Sequence, residues 1–189
     1  MKENTFEKPT VDASLRVAES VLEKAGYLMV DIESDCQVVG FAIPNSFGGE
    51  CGAVVEFLPG AGILQMTTAL TRGQINPLLA IGLTLLLNRL NLMMRGVTFT
   101  FDHDEEDGDE IEISIECFVL DEIQLEEHVK LMVRYLQEAV KLSLPAIYQY
   151  VAQRIRARPG HDGKLEYLGP TVTVEQALDM IELKQFGRA

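Results

Sequence analysis

Histidine, cysteine and basic side chains are scarce in this chain, and each scarcity removes a class of function. Among 189 residues there are three histidines, His103, His128 and His161. They lie far apart, and none has the spacing at which histidines share a metal ion. Three cysteines occur, Cys36, Cys51 and Cys117, without a C-x-x-C pair. An odd number with this spacing points away from a disulfide framework or a zinc site. Each falls in a segment that reads as strand, so the expectation is inert, reduced thiols in a cytoplasmic protein. Lys and Arg number 16 against 29 Asp and Glu, a formal net charge of −13. That balance argues against nucleic acid or an anionic membrane as the main partner.

Nucleotide and nucleophile signatures are missing as well. Gly48, Gly49 and Gly52, and again Gly60 and Gly62, cluster without a following Lys-Ser/Thr, so neither group is a phosphate-cradling P-loop. Neither stands between a strand and a helix, as a dinucleotide fingerprint must. No serine sits in a G-x-S-x-G elbow. An EF-hand reading that places Gly108 sixth puts His103 first and Ser114 twelfth, and both fail as calcium ligands. No catalytic, cofactor or metal residue is therefore assigned, and the expectation is a protein that is not an enzyme. The first ten residues, MKENTFEKPT, lack the apolar run of a signal peptide. The most apolar stretch, Pro77 to Met94, is interrupted by Thr84, Asn88, Arg89 and Asn91, so it reads as a helix buried in protein rather than a membrane span.

What is present is material for a core: 47% of residues are apolar. Thr10 or Asp12 caps a helix whose Val11, Leu15, Ala18, Leu22 and Ala25 form one stripe, stopped by Gly26. Strands are expected over Tyr27–Glu33, Cys36–Ile43, Cys51–Phe57 and Ile63–Leu70. Ser34-Asp35, Pro44-Asn45 and Pro59-Gly60 supply turns between them. Short connections imply an antiparallel meander. Asn76 as N-cap and Pro77 at the first helical position open a helix to Met93. Val97–Phe101 and Ile111–Val119 form a hairpin around an acidic loop, Asp102–Glu110, and in the return strand isoleucines alternate with Glu112, Ser114 and Glu116. Thirteen acids and no Lys or Arg fall between Asp102 and Glu127, so the acidity is local. A capping box of Asp121 and Gln124 starts a long helix, which Pro145 is expected to break or kink, with Ser143 capping a second segment to about Ile155. Arg156–Gly163 reads as a linker, and Thr173 with Gln176 caps a short helix to about Gln185.

The order of these segments resembles the YbjN and type III secretion chaperone-like superfamily. The resemblance runs from about residue 11 to 153: VAESVLEKAGY, then NPLLAIGLTLLLNRLN with its N-x-L-N-like end, then VTFTFD, an acidic turn, EIEISIECFVL, and QLEEHVKLMVRYL. It implies an α+β fold, with helices packed on one face of a twisted antiparallel sheet, commonly dimeric. In the secretion chaperones a homodimer holds an extended segment of another protein on apolar patches. The YbjN-like branch has been linked to stress or sensory regulation without a defined chemistry, and neither branch has a catalytic motif to carry over.

The expected organisation is a chaperone-like domain over residues 1–155 and a C-terminal appendage over 156–189. The expected function is a homodimeric, non-catalytic, chaperone-like or regulatory adaptor that binds a protein or peptide, with no cofactor. The apolar girth of the Pro77–Met93 helix exceeds what one sheet face covers. Leu79, Leu83, Leu86, Leu87 and Leu90 are accordingly the candidate interaction residues. Two alternatives stay open: a small-molecule binder or enzyme with a site of scattered residues, and a structural subunit of a larger assembly.

Overall fold

The computed structural model describes residues 10–32, 37–104, 108–119 and 122–181. Helix α1 (Val11–Lys24) begins at Thr10, whose Oγ1 accepts a hydrogen bond from the Ala13 amide. It ends at Gly26, whose φ of 84° a residue with a Cβ would resist. Strands β1 (Leu28–Val30), β2 (Val38–Pro44), β3 (Glu50–Leu58) and β4 (Ile63–Gly73) follow as the expected meander. Asn45 builds the β2–β3 turn by accepting from the Phe47 and Gly49 amides at 3.0 and 3.1 Å. The turn expected at Ser34-Asp35 lies outside the described residues.

Helix α2 (Pro77–Met93) has the expected bounds, with Asn76 Oδ1 accepting from the Leu78 amide. Strands β5 (Thr98–Asp104) and β6 (Gly108–Phe118) form the hairpin, but both run further than their apolar alternation. Of the nine-residue loop expected from Asp102 to Glu110, only residues 105–107 remain between the strands, and these lie outside the described residues. Acidic side chains are no obstacle to a ladder whose outer face is solvated. The six strands form one antiparallel sheet in the order β1-β2-β3-β4-β6-β5.

The helices lie on one face of this sheet. Phe41, Val55, Met66, Ile113 and Phe99, one from each of five strands, point to that face and are at most 3% exposed. Helix α3 (Glu122–Val151) crosses the sheet, touching β4, β6 and both earlier helices. It is a single helix of 30 residues, and Pro145 does not break it. An interior proline costs about 3 kcal/mol. Leu144, Ala146, Ile147 and Tyr150 are buried around it. Full burial of each large apolar side chain returns about 1.5–3 kcal/mol, so packing outweighs the proline. Ser143 caps no new segment; its Oγ donates back to the Ala139 carbonyl at 2.7 Å, inside the continuous helix.

The stretch expected to be a linker is a hairpin of β7 (Ile155–Pro159) and β8 (Leu165–Pro170). Helix α4 (Val174–Leu178) follows, shorter than expected, with the Thr173–Gln176 capping box formed. It packs on α2 and α3 and places Ala177 in the main core, joined by Ile181 beyond its end. Gln153, just past α3, fastens this region by accepting from the Val172 amide at 2.6 Å.

Candidate protein-binding surface

The five leucines expected to meet a partner face the chain's own core. Leu79, Leu83, Leu86, Leu87 and Leu90 are at most 3% exposed and pack within the main apolar cluster. The apolar side chains that α2 leaves in solvent are others: Leu78, Ile81, Leu85 and Leu92, of which Ile81 is 79% exposed. Their spacing of three, four and seven residues makes a second stripe along the helix. Because α2 is apolar on both sides, its sequence carries no preferred direction, and only the tertiary packing shows which stripe is spent on the core.

Two contacts fix how α2 is presented. Asn91 Nδ2 donates to the Phe99 carbonyl at 3.0 Å, and Asn91 Oδ1 accepts from the Phe99 amide at 2.6 Å. Phe99 belongs to β5, the edge strand, so the amide side chain occupies groups that a further strand would take. Gly82 is the close approach to α3: a Cβ there would overlap the Tyr150 hydroxyl, and Tyr150 is 2% exposed. At the other end of the helix, the buried Asp109 carboxylate accepts from the Ile75 amide, tying the β4–α2 connection to β6.

Among the described residues, the opposite face of the sheet carries no helix. Over β1–β4 it combines the small or apolar Gly40, Gly52 and Val54 with Glu56 and Gln65, and Leu28, Val30 and Ile32 are at least 40% exposed. Ile32 lies directly over Gly40, which has no room for a Cβ. A shallow trough of about 550 Å³ is lined by Ile32, Gly52, Val54, Ala69, Glu110 and Glu112, among others. Beyond it the face is acidic. The Glu112 carboxyl is raised above the usual carboxylate range, first by burial and then by its neighbours Glu110 and Asp102.

Among the described residues, those considered for catalysis lie on different elements. Cys51 is buried at the start of β3. Cys117 lies on β6, its Sγ 3.1 Å from Met132 Sδ, and burial pushes its thiol up to about 11, so it stays protonated at neutral pH. It borders a cleft of about 590 Å³ with Met93, Arg95, Leu131 and Tyr135. His128 lies on α3 and His161 in the β7–β8 turn. Cys36 and the side chain of His103 lie outside the described residues. Among the described residues, no group of three or more His, Cys, Asp or Glu is placed to hold a metal ion. Among the same residues, no helix is long and apolar enough to cross a membrane.

No protein-family model matches the sequence, and no curated protein matches it. Solved structures do. The crystal structure of YbjN from E. coli, a candidate transcription regulator, matches with a TM-score of 0.50 at 10% identity, covering 72% of this chain and 92% of that one. An uncharacterized protein from Methanothermobacter thermautotrophicus matches with a TM-score of 0.38 at 16% identity, covering 67% of this chain and 93% of that one. At such identities the likeness is one of architecture. The chain has the YbjN-like α+β fold that the order of its segments implied.

Proposed function

We propose that this chain is a non-catalytic protein-binding domain, a chaperone-like or regulatory adaptor, that works as a cytoplasmic homodimer and holds a polypeptide partner. The observation that carries the reading is the second apolar stripe of α2, with Leu78, Ile81, Leu85 and Leu92 in solvent after the core has taken its own leucines. Large apolar side chains set in a row on one helix face mark an association surface more than a solvated one. The fold shared with YbjN, a candidate regulator, agrees with this class of function. A protonated Cys117 thiol agrees with it as well.

Light scattering after size-exclusion tests the dimer. The wild-type chain is expected at twice its monomer mass, and the double variant Ile81→Glu/Leu85→Glu at the monomer mass with an unchanged circular dichroism spectrum. Cross-linking with mass spectrometry in source cells then tests the partner. A wild-type monomer at every concentration, or cross-links to no polypeptide, overturns the reading.

A further inference from the structure

Among the described residues, the β7–β8 hairpin is covered only at its base, where Ile155, Gly169 and Pro170 are half-buried and β8 touches α2. Every residue of Arg156–Pro159 and His161–Leu168 is exposed, including Leu165 at 62% and Tyr167 at 57%. Two strands alone are marginal in water, so an ordered bare ribbon points to a surface it meets elsewhere. Its pairing places Arg158 opposite Glu166 and Ala157 opposite Tyr167, which puts the guanidinium groups and the Tyr167 ring on opposite faces.

Basic residues crowd the start of the ribbon in an acidic protein, with Arg158 Nε paired to Glu166 Oε2 across the hairpin at 2.7 Å and Arg156 donating to the Pro170 carbonyl at 3.3 Å. Arg154, Arg156, Arg158 and Lys164 fall within eleven residues that contain one acid, Asp162, in a chain of net charge −13. A surface of opposite sign exists on the same chain: the helix-free face of β5 and β6, where Asp102 and Glu116 are exposed and Glu112 is half-buried. Burial first, and then crowding by Glu110 and Asp102, disfavours the Glu112 carboxylate there, and a cation set over it offsets the crowding. Within one chain β8 packs on α2, across the layer of helices from that face. The match is therefore available between copies.

Resting on the homodimer reading above, we propose that the β7–β8 ribbon is an arm that embraces a second copy, laying Arg156 and Arg158 against Glu112 and Glu116 on the uncovered face of the partner's sheet. In a twofold dimer the contact occurs twice, and complementary charge sets the register of the two copies.

Charge swapping tests it, with sedimentation velocity at low salt as the readout. Arg156→Glu/Arg158→Glu and Glu112→Lys/Glu116→Lys, each alone, are expected to weaken the dimer roughly tenfold or more. An equimolar mixture of the two is expected to recover wild-type affinity to within about threefold, because in the mixed dimer both arms again meet opposite charge. Arm variants that dimerise like the wild type, or a mixture that does not recover, overturn the proposal. If those results come with dissociation by Ile81→Glu/Leu85→Glu, the arm fails and the α2 reading stands. If the arm variants dissociate, the mixture recovers, and the α2 variant stays dimeric, the arm stands and the α2 surface fails. A wild-type monomer removes both.

Discussion

Asn91 holds Phe99 by both of its backbone polar groups, one bond donated and one accepted across the α2–β5 junction. A leucine of the same size would pack against the strand but leave an amide and a carbonyl half-buried without partners. Removing a hydrogen-bonding partner in that way costs about 1–3 kcal/mol. Asn91→Leu is expected to lower the unfolding free energy by that amount, read from a lower urea midpoint, without altering the far-UV spectrum. Asn91→Asp, which keeps the acceptor and loses the donor, should fall between. A variant as stable as the wild type would show that these bonds form equally well with water.

The Gly82–Tyr150 approach gives a sharper test of packing. Gly82→Ala should destabilise the fold by about 1–3 kcal/mol, since overpacking forces neighbours off their rotamers. An exposed helical position would instead gain stability from the same change. Tyr150→Phe removes the nearest atom that the new Cβ meets and leaves only the milder contact with Cζ, so the double variant should lose less than the sum of the two single losses. Additive losses in a double-mutant cycle would place the strain elsewhere.

Leu85 and Leu86 are neighbours in sequence with opposite duties. Leu86 is fully buried and Leu85 is 55% exposed. Leu86→Ala is expected to cost about 2–5 kcal/mol of monomer stability. Leu85→Ala should leave the monomer within about 0.5 kcal/mol and weaken self-association instead. Chemical denaturation at low and high protein concentration separates the two effects.

The boundaries of α2 were legible because Asn76 and Pro77 are local signals, and the alternation of β6 was legible because one of its faces is buried and one is wet. The side of α2 that meets solvent was not. A helix apolar all round has no direction until α3 and β5 are in place, which is why the five leucines first singled out proved to be core. The β7–β8 hairpin was hidden for a different reason. Ile155 and Ala157 do alternate with Arg156 and Arg158, but Pro159, Gly160 and Gly163 dominate the local reading. Pro145 misled in the same way, since the burial that overrides it comes from residues far away in sequence.

Glu112 gives a pH signature. Its carboxyl is raised in the folded chain above the ordinary 4.5, so the neutral form binds the fold better than the charged one. Stability from this group is fully present below its unfolded value and is lost as pH rises through the folded one. Glu112→Gln should therefore raise the melting temperature at pH 7 and lose that advantage below about pH 4. Partial exposure screens the effect, so the gain should stay under about 1 kcal/mol. A destabilised glutamine variant at pH 7 would mean the carboxylate has a partner worth more than its crowding costs.

Cys117 should resist alkylation. With its thiol near 11 rather than 9.0, the reactive thiolate is roughly a hundredfold scarcer at neutral pH than on an ordinary cysteine. Iodoacetamide labelling followed by mass spectrometry should find Cys117 slow in the native chain and normal in urea. Fast native labelling would mean that the β6–α3 seam opens.

Ala177 and Ile181 fill a socket between the helices from the far end of the chain. Trimming the protein to its first 155 residues, a natural cut on sequence grounds, would leave that socket empty and greasy. Stickiness seen in such a truncated sample would report the excision, and anyone mapping adhesion to the body of the molecule needs the tail in place first.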